Sequence, residues 1–251
     1  MKVDVHIFQN YEALSEAAAD IFIEAADQAV RMRGRFLTTL SGGSTPSGLY
    51  RRLADEPYRD RVPWENTFVF WGDERCVPPD DEGSNYYQAY ETLLKRVPIP
   101  DENILRIHGE LEPAQAADAY AHTLKKFSAL GLDWPRFDLL LLGMGDDGHT
   151  ASLFPGSPVE ANFPTQAVTA DYQGRPAKRV TLTPLVLNSA RTVLFLVTGE
   201  NKADTLSHVL SENFMPEEYP AQRIRPTDGQ VIWLVDRAAA TNMDRENMLV
   251  E

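Results

Sequence analysis

Residues Phe137–Pro155 read FDLLLLGMGDDGHTASLFP. A mostly apolar run, Phe137 to Leu142, stops at Gly143, Gly145 and Gly148, and His149 follows the last of these glycines. Such a run suits a strand buried on both faces, as in a parallel sheet. The glycines let the backbone turn sharply and leave room for a ligand. The histidine then stands just past the C-terminal end of a central strand, where open α/β sheets place their ligands. Histidine is also the residue type that ordinarily exchanges protons closest to neutral pH.

Outward from this stretch, strand and helix patterns alternate. Val3–Phe8 alternates as a strand, and Glu12–Met32 repeats apolar residues at helical spacing. Phe36–Leu40 predicts a strand, followed by Ser41–Pro46 and a helix from about Ser47 to Leu53. Thr67–Trp71 predicts another strand that runs out into a loop, Gly72-Asp73-Glu74-Arg75-Cys76. Helices are expected over Asn85–Leu94 and Pro113–Leu130, the second with proline near its start, where a missing N–H costs little. Thr192–Val197 predicts a strand, Asn201–Leu210 a helix, Val231–Val235 a late strand and Arg237–Met243 a short terminal helix. The alternation implies an α/β fold, a mainly parallel sheet with helices on both faces. Pro155, Pro158 and Pro164 mark a long irregular crossing and no domain boundary, so one domain is expected over residues 1–251.

The chain has 24 Lys and Arg against 37 Asp and Glu, a formal net charge of −13. That balance argues against a nucleic-acid or anionic-membrane surface. It also makes any cation in a glycine-rich loop conspicuous. The single cysteine, Cys76, has no partner for an internal disulfide, which fits a reducing compartment. Met1-Lys2-Val3-Asp4 meets a charge at once and lacks a signal-peptide core, and no apolar run approaches a membrane span. A cytoplasmic location is the expectation.

Four loops carry candidate chemistry. In Ser41-Gly42-Gly43-Ser44-Thr45-Pro46, amides and hydroxyls at a strand-to-helix turn suit a phosphate, with the helix N-terminus behind them. The same residues also suit an ordinary turn with Ser44 or Thr45 as helix cap. No Gly-Lys-Ser/Thr follows, so the loop is not a Walker A motif, and Pro46 breaks the nucleophile-elbow frame. In the second loop, Arg75 can hold a phosphate or a developing oxyanion, or simply pair with Asp73 and Glu74 on the surface. Cys76 is read as a small buried residue.

The third loop, Gly143–Gly148, matches GxGxxG, with Asp171 at a suggestive distance. A dinucleotide site is rejected because Asp146 and Asp147 sit where a pyrophosphate would go and Pro155 cuts the following helix short. Asp146 or Asp147 can orient the His149 ring. The five histidines show no ligand spacing, so no metal is expected. In the fourth loop, Gly199-Glu200-Asn201-Lys202, a lysine begins a helix against the helix dipole, which suggests an external anion.

The segments LSGGSTP (Leu40–Pro46), WGDER (Trp71–Arg75), SNYY (Ser84–Tyr87), GMGDDGHTASLFP (Gly143–Pro155) and TGENKA (Thr198–Ala203) together resemble the 6-phosphogluconolactonase family, in order along essentially the whole chain. The related glucosamine-6-phosphate deaminases share similar glycine-rich loops. They typically continue with IAFNEP where this chain has TASLFP, and with Asp-Glu-Tyr where it has Asp-Glu-Arg. The resemblance implies a single modified Rossmann-like α/β domain that hydrolyses a sugar-phosphate lactone, 6-phospho-D-glucono-1,5-lactone, without a cofactor. It makes His149 the general base, and Arg75 and Lys202 the groups that bind phosphate or neutralise substrate charge. Ser41, Gly42, Gly43, Ser44 and Thr45 would line the same pocket, with Gly143, Gly145, Gly148 and Asp73 shaping its loops. Asp146 stands where many members carry glutamate or another residue, so Asp147 is taken as the loop's structural acid. Whether Arg179 reaches the pocket, and how the chain oligomerises, stay open.

Overall fold

The computed structural model describes residues 3–243 and 249–250. Met1 and Lys2 of the N-terminal reading lie outside them. Ten strands and six α-helices are described. The main-sheet strands are β1 (Val3–Phe8), β2 (Phe36–Leu40), β3 (Thr67–Trp71), β5 (Leu139–Gly143), β8 (Thr192–Val197), β9 (Gln230–Asp236) and β10 (Leu249–Val250). They lie in the order β10-β1-β9-β8-β5-β2-β3, and every pairing is parallel. β5 sits between β8 and β2, and Leu139, Leu140, Leu141 and Leu142 are buried. That position explains the unbroken apolar run, since both faces and both edges are covered.

The helices are α1 (Tyr11–Arg33), α2 (Pro46–Ala54), α3 (Asn85–Thr92), α4 (Pro113–Lys125), α5 (Pro184–Leu187) and α6 (Ala203–Leu210). α1 packs on β1, β2 and β9 through Leu14, Ala18, Phe22 and Ala26. Its ends are set locally: Asn10 Oδ1 accepts the Ala13 amide, and Gly34 adopts φ 72° to stop the helix. α4 is shorter than its alanine content suggested and ends at Lys125.

Two expectations are corrected. Gly72–Cys76 is not a loop. Asp73–Arg75 forms β4, which leaves the main sheet and pairs antiparallel with β7 (Lys178–Leu182), itself paired with β6 (Thr165–Thr169). This second, three-stranded sheet occupies part of what read as an irregular crossing. Arg237–Met243 is a string of turns and not a helix. Asp236 caps the Ala239 amide, but the Asp236 carboxyl also holds Gly199 N, and the segment is too short to propagate.

β4 is anchored by a buried carboxylate. Glu74 accepts from the amides of Arg75, Asn85 and Tyr86 at 2.6–2.7 Å and from Ser84 Oγ at 3.0 Å. It thereby fastens the N-terminus of α3 to the second sheet, where a negative group also suits the helix dipole. Burial pushes its carboxyl up to about 7 against those four donors. Replacing Glu74 with Ala leaves the donors unpaired, a loss of about 2–4 kcal/mol and roughly 5–15 °C in Tm at this size. The folded value lies above the unfolded one. Ionising the group therefore costs more in the fold than in the unfolded chain, so stability is highest below about pH 4.5 and falls as pH rises through about 7. Thermal unfolding from pH 4 to 8 should show that slope in the wild type and not in Glu74→Gln.

Candidate active site

Four strands of the main sheet end at one cavity of about 260 Å³. Ser41–Pro46 follow β2, Asp73 and Arg75 follow β3, Gly143–His149 follow β5, and Thr198, Asn201 and Lys202 follow β8. All enter from the C-terminal edge of the parallel sheet, where no strand competes for the space.

The chemistry-bearing turn is built around two glycines. A side chain at Gly145 would lie 2.1 Å from His149 Nδ1 and 2.5 Å from Asp147 Oδ1, so only glycine allows those two to meet. Gly148 takes φ 80°, which reverses the chain so that Gly145 N can bond His149 O at 2.8 Å. Gly143 is different: it ends β5, a Cβ there would meet nothing within 4 Å, and its carbonyl accepts the Thr150 hydroxyl at 2.8 Å. Asp147 Oδ1 accepts from His149 Nδ1 at 2.6 Å and from His149 N at 3.1 Å. A carboxylate can only accept, so Nδ1 carries a proton, and in the neutral ring Nε2 is the nitrogen with the lone pair. Burial raises the Asp147 carboxyl, but the hydrogen bonds it accepts from the His149 ring and backbone outweigh that and hold it below the usual range. Phe154 stacks on the ring at 4.4 Å and the edge of Tyr172 meets it at 4.5 Å. Asp146 does not orient the histidine; its carboxylate binds Tyr172 and Gln173.

The glycine-serine loop is partly consumed internally. Tyr50 Oη brackets Ser41 N and O, and the Gln88 amide brackets Gly43 N and O. Among the described residues, the amides of Gly42, Ser44 and Thr45 have no hydrogen-bond partner. Thr45 occupies the cap position of α2 without capping it; its hydroxyl meets Thr198 Oγ1 at 2.9 Å. A Cβ at Gly42 would fall 1.7 Å from Asn85 Oδ1. The loop is therefore clamped by α3, through Asn85 of the SNYY segment and through Gln88, which the sequence reading had not singled out.

Arg75 and Arg179 face each other across the β4–β7 pairing. Both are buried, at 8% and 2% exposure, and both line the cavity. Arg75 Nε, Arg179 Nε and Nη2, Asn85 Oδ1 and Ser41 Oγ lack any protein partner. Arg75 Nη1 donates to Gly83 O, so Arg75 is not a surface ion pair. Arg179 lies over the Phe154 ring at 5.3 Å, and burial lowers its proton affinity and that of Lys202, the latter against Asp146 and Asp147. Ser152 Oγ donates to Asp73 Oδ2 at 2.6 Å, so Asp73 ties the TASLF segment to β4. The signal for Arg179 lay in register between two strands far apart in sequence.

The family described as glucosamine-6-phosphate isomerases/6-phosphogluconolactonase matches residues 9–233. The chain belongs to this family. A 6-phosphogluconolactonase of Nostoc sp. is 38% identical over 246 residues, spanning 97% of this chain and 99% of that relative. The solved structure of a 6-phosphogluconolactonase from Trypanosoma brucei is 30% identical, covers 97% of this chain and 99% of its own, and superimposes with a TM-score of 0.85. A solved monomeric glucosamine-6-phosphate deaminase, 24% identical over 96% of this chain and the whole of its own, shares the fold with a TM-score of 0.81. Among the described residues no helix is long and apolar enough to cross a membrane.

A family site that buries cations without partners stores instability. Arg179→Met keeps the volume and removes the charge. It should raise Tm by a few degrees while weakening binding of an anionic sugar phosphate at least tenfold, measured by thermal unfolding and calorimetric titration.

Proposed function

We propose that the chain hydrolyses 6-phospho-D-glucono-1,5-lactone to 6-phosphogluconate, the lactone-opening reaction of the oxidative pentose phosphate pathway. The observation that carries this reading is the pairing of an Asp147-held imidazole with a cavity whose buried cations and loop amides lack protein partners. The relatives of known name agree with it.

A δ-lactone is an activated ester, so water suffices as nucleophile. His149 Nε2 takes a proton from water as its oxygen bonds to C1. Charge builds on the carbonyl oxygen, where Arg75 stabilises it. The C1–ring oxygen bond then breaks, and the imidazolium returns its proton to the departing oxygen. Asp147 keeps Nδ1 protonated throughout and steadies the transient positive ring. Lys202, Arg179 and the Ser41–Thr45 loop hold the phosphate, whose binding energy sets C1 in position. No metal, nucleic acid or membrane enters the scheme.

The test is a timed assay of freshly prepared lactone with a no-enzyme control, since the lactone also opens by itself. The wild type should turn it over, and His149→Ala should lose about 10²–10⁴-fold in kcat while keeping product affinity. Near wild-type turnover by His149→Ala refutes the base assignment. Ammonia release from glucosamine 6-phosphate, without lactone turnover, would move the chain to the deaminase branch.

A further inference from the structure

Asp146 does work separate from its neighbour's. Its backbone is tied to α6, where Thr205 Oγ1 donates to Asp146 O at 2.6 Å. Its side chain turns to the opposite wall. The Tyr172 hydroxyl donates to Oδ1 and Gln173 Nε2 donates to Oδ2 at 3.1 Å, while Asp146 N donates back to Tyr172 Oη at 3.5 Å. Tyr172 and Gln173 belong to the tip of the β6–β7 hairpin, which closes by Ala170 N to Ala177 O and Arg175 N to Tyr172 O, both 3.0 Å. Gln173 and Gly174 both take positive φ there, 50° and 65°.

Among the described residues, every hydrogen bond from this tip to the rest of the protein goes to Asp146. The tip is also a wall of the cavity. Tyr172, Gln173 and Arg175 line it, and the Tyr172 ring covers one side of His149. Arg175 has no ion pair among the described residues, and its charge is felt at both Arg179 and Lys202. Asp146 thus joins three parts of the site: the histidine loop it belongs to, α6 through its backbone carbonyl, and the hairpin through its carboxylate. Its bond to the phenol is charge-assisted, stronger than a neutral pair. The Tyr172 hydroxyl in turn holds the Asp146 carboxyl below its usual range.

We propose that Asp146 is the latch of this wall, a positioning residue that holds the β6–β7 tip against His149, keeps Arg175 at the mouth of the cavity, and so sets substrate affinity more than the rate of the chemical step. Without the latch the tip samples open positions, and the competent state is populated only part of the time, which lowers apparent affinity by that fraction.

The kinetic side of this inference rests on the lactonase reading; the structural side does not. The experiment compares full-length wild type, Asp146→Ala, Tyr172→Phe and the double variant by hydrogen exchange and by steady-state kinetics on 6-phosphogluconolactone. Tyr172→Phe keeps the ring and removes only the hydroxyl, so it reports on the latch with the packing intact. The Ala170 and Arg175 amides, which close the tip, should exchange at least tenfold faster in each single variant, while Val180–Leu182 stay as in the wild type. KM should rise five- to tenfold, kcat should fall by less than threefold, and the double variant should be no worse than Asp146→Ala. Unchanged exchange and KM in Asp146→Ala overturn the proposal, as does a hundredfold loss of kcat at constant KM, which would place Asp146 in the chemistry. If the wild type does not open the lactone, the functional reading fails and the exchange data still decide the latch.

Discussion

The hydrogen bond from His149 Nδ1 to Asp147 Oδ1, 2.6 Å long, decides which ring nitrogen is left to act. Much of the neighbouring structure serves to make it possible. Gly145 leaves the space, Gly148 reverses the chain, and β5 delivers the loop to the edge of the sheet from a buried position between β8 and β2. Phe154 and Tyr172 then fix the plane of the ring. A loop so tightly determined by sterics tolerates little change, yet it rests on a strand that needs only to be apolar.

The second constraint is electrostatic. The chain is acidic overall, with a net charge of −13, yet its cavity gathers Arg75, Arg175, Arg179 and Lys202. Two of these are buried with unpaired donors. Unpaired buried charge destabilises a fold, and the structure offsets it with the Glu74 anchor and the Asp73–Ser152 bond, which brace the same small sheet. On the proposed function, the cations focus an anionic substrate into a site that the rest of the surface would repel.

How much of this was legible depended on the burial of each element. β2, β3, β5, β8 and β9 announced themselves because strands covered on both faces become apolar runs. β6 and β7 did not. Thr165–Thr169 buries only Thr165 and Val168, with no period-two pattern over its five residues, and β7 begins with Lys178 and Arg179. β4 was hidden inside a charged triplet whose three side chains are all buried. Because the second sheet was missed, the alignment of Arg75 with Arg179 stayed out of sight, and so did the wall carrying Tyr172. His149, Asp147, Lys202 and the Ser41–Thr45 loop were legible because each follows a recognisable strand. The clamps Tyr50 and Gln88 were not, since amide and phenol side chains carry no periodic signal.

The central claim is that Asp147 and His149 act as one unit on a water molecule. A double-mutant cycle on kcat for lactone hydrolysis tests it most directly, using Asp147→Asn, His149→Ala and both together. If the two are a unit, Asp147→Asn costs a large factor in the wild type, through loss of the tautomer. It then costs less than about threefold once His149 is gone, because groups that work together do not add. Full multiplication of the two single losses would contradict the account.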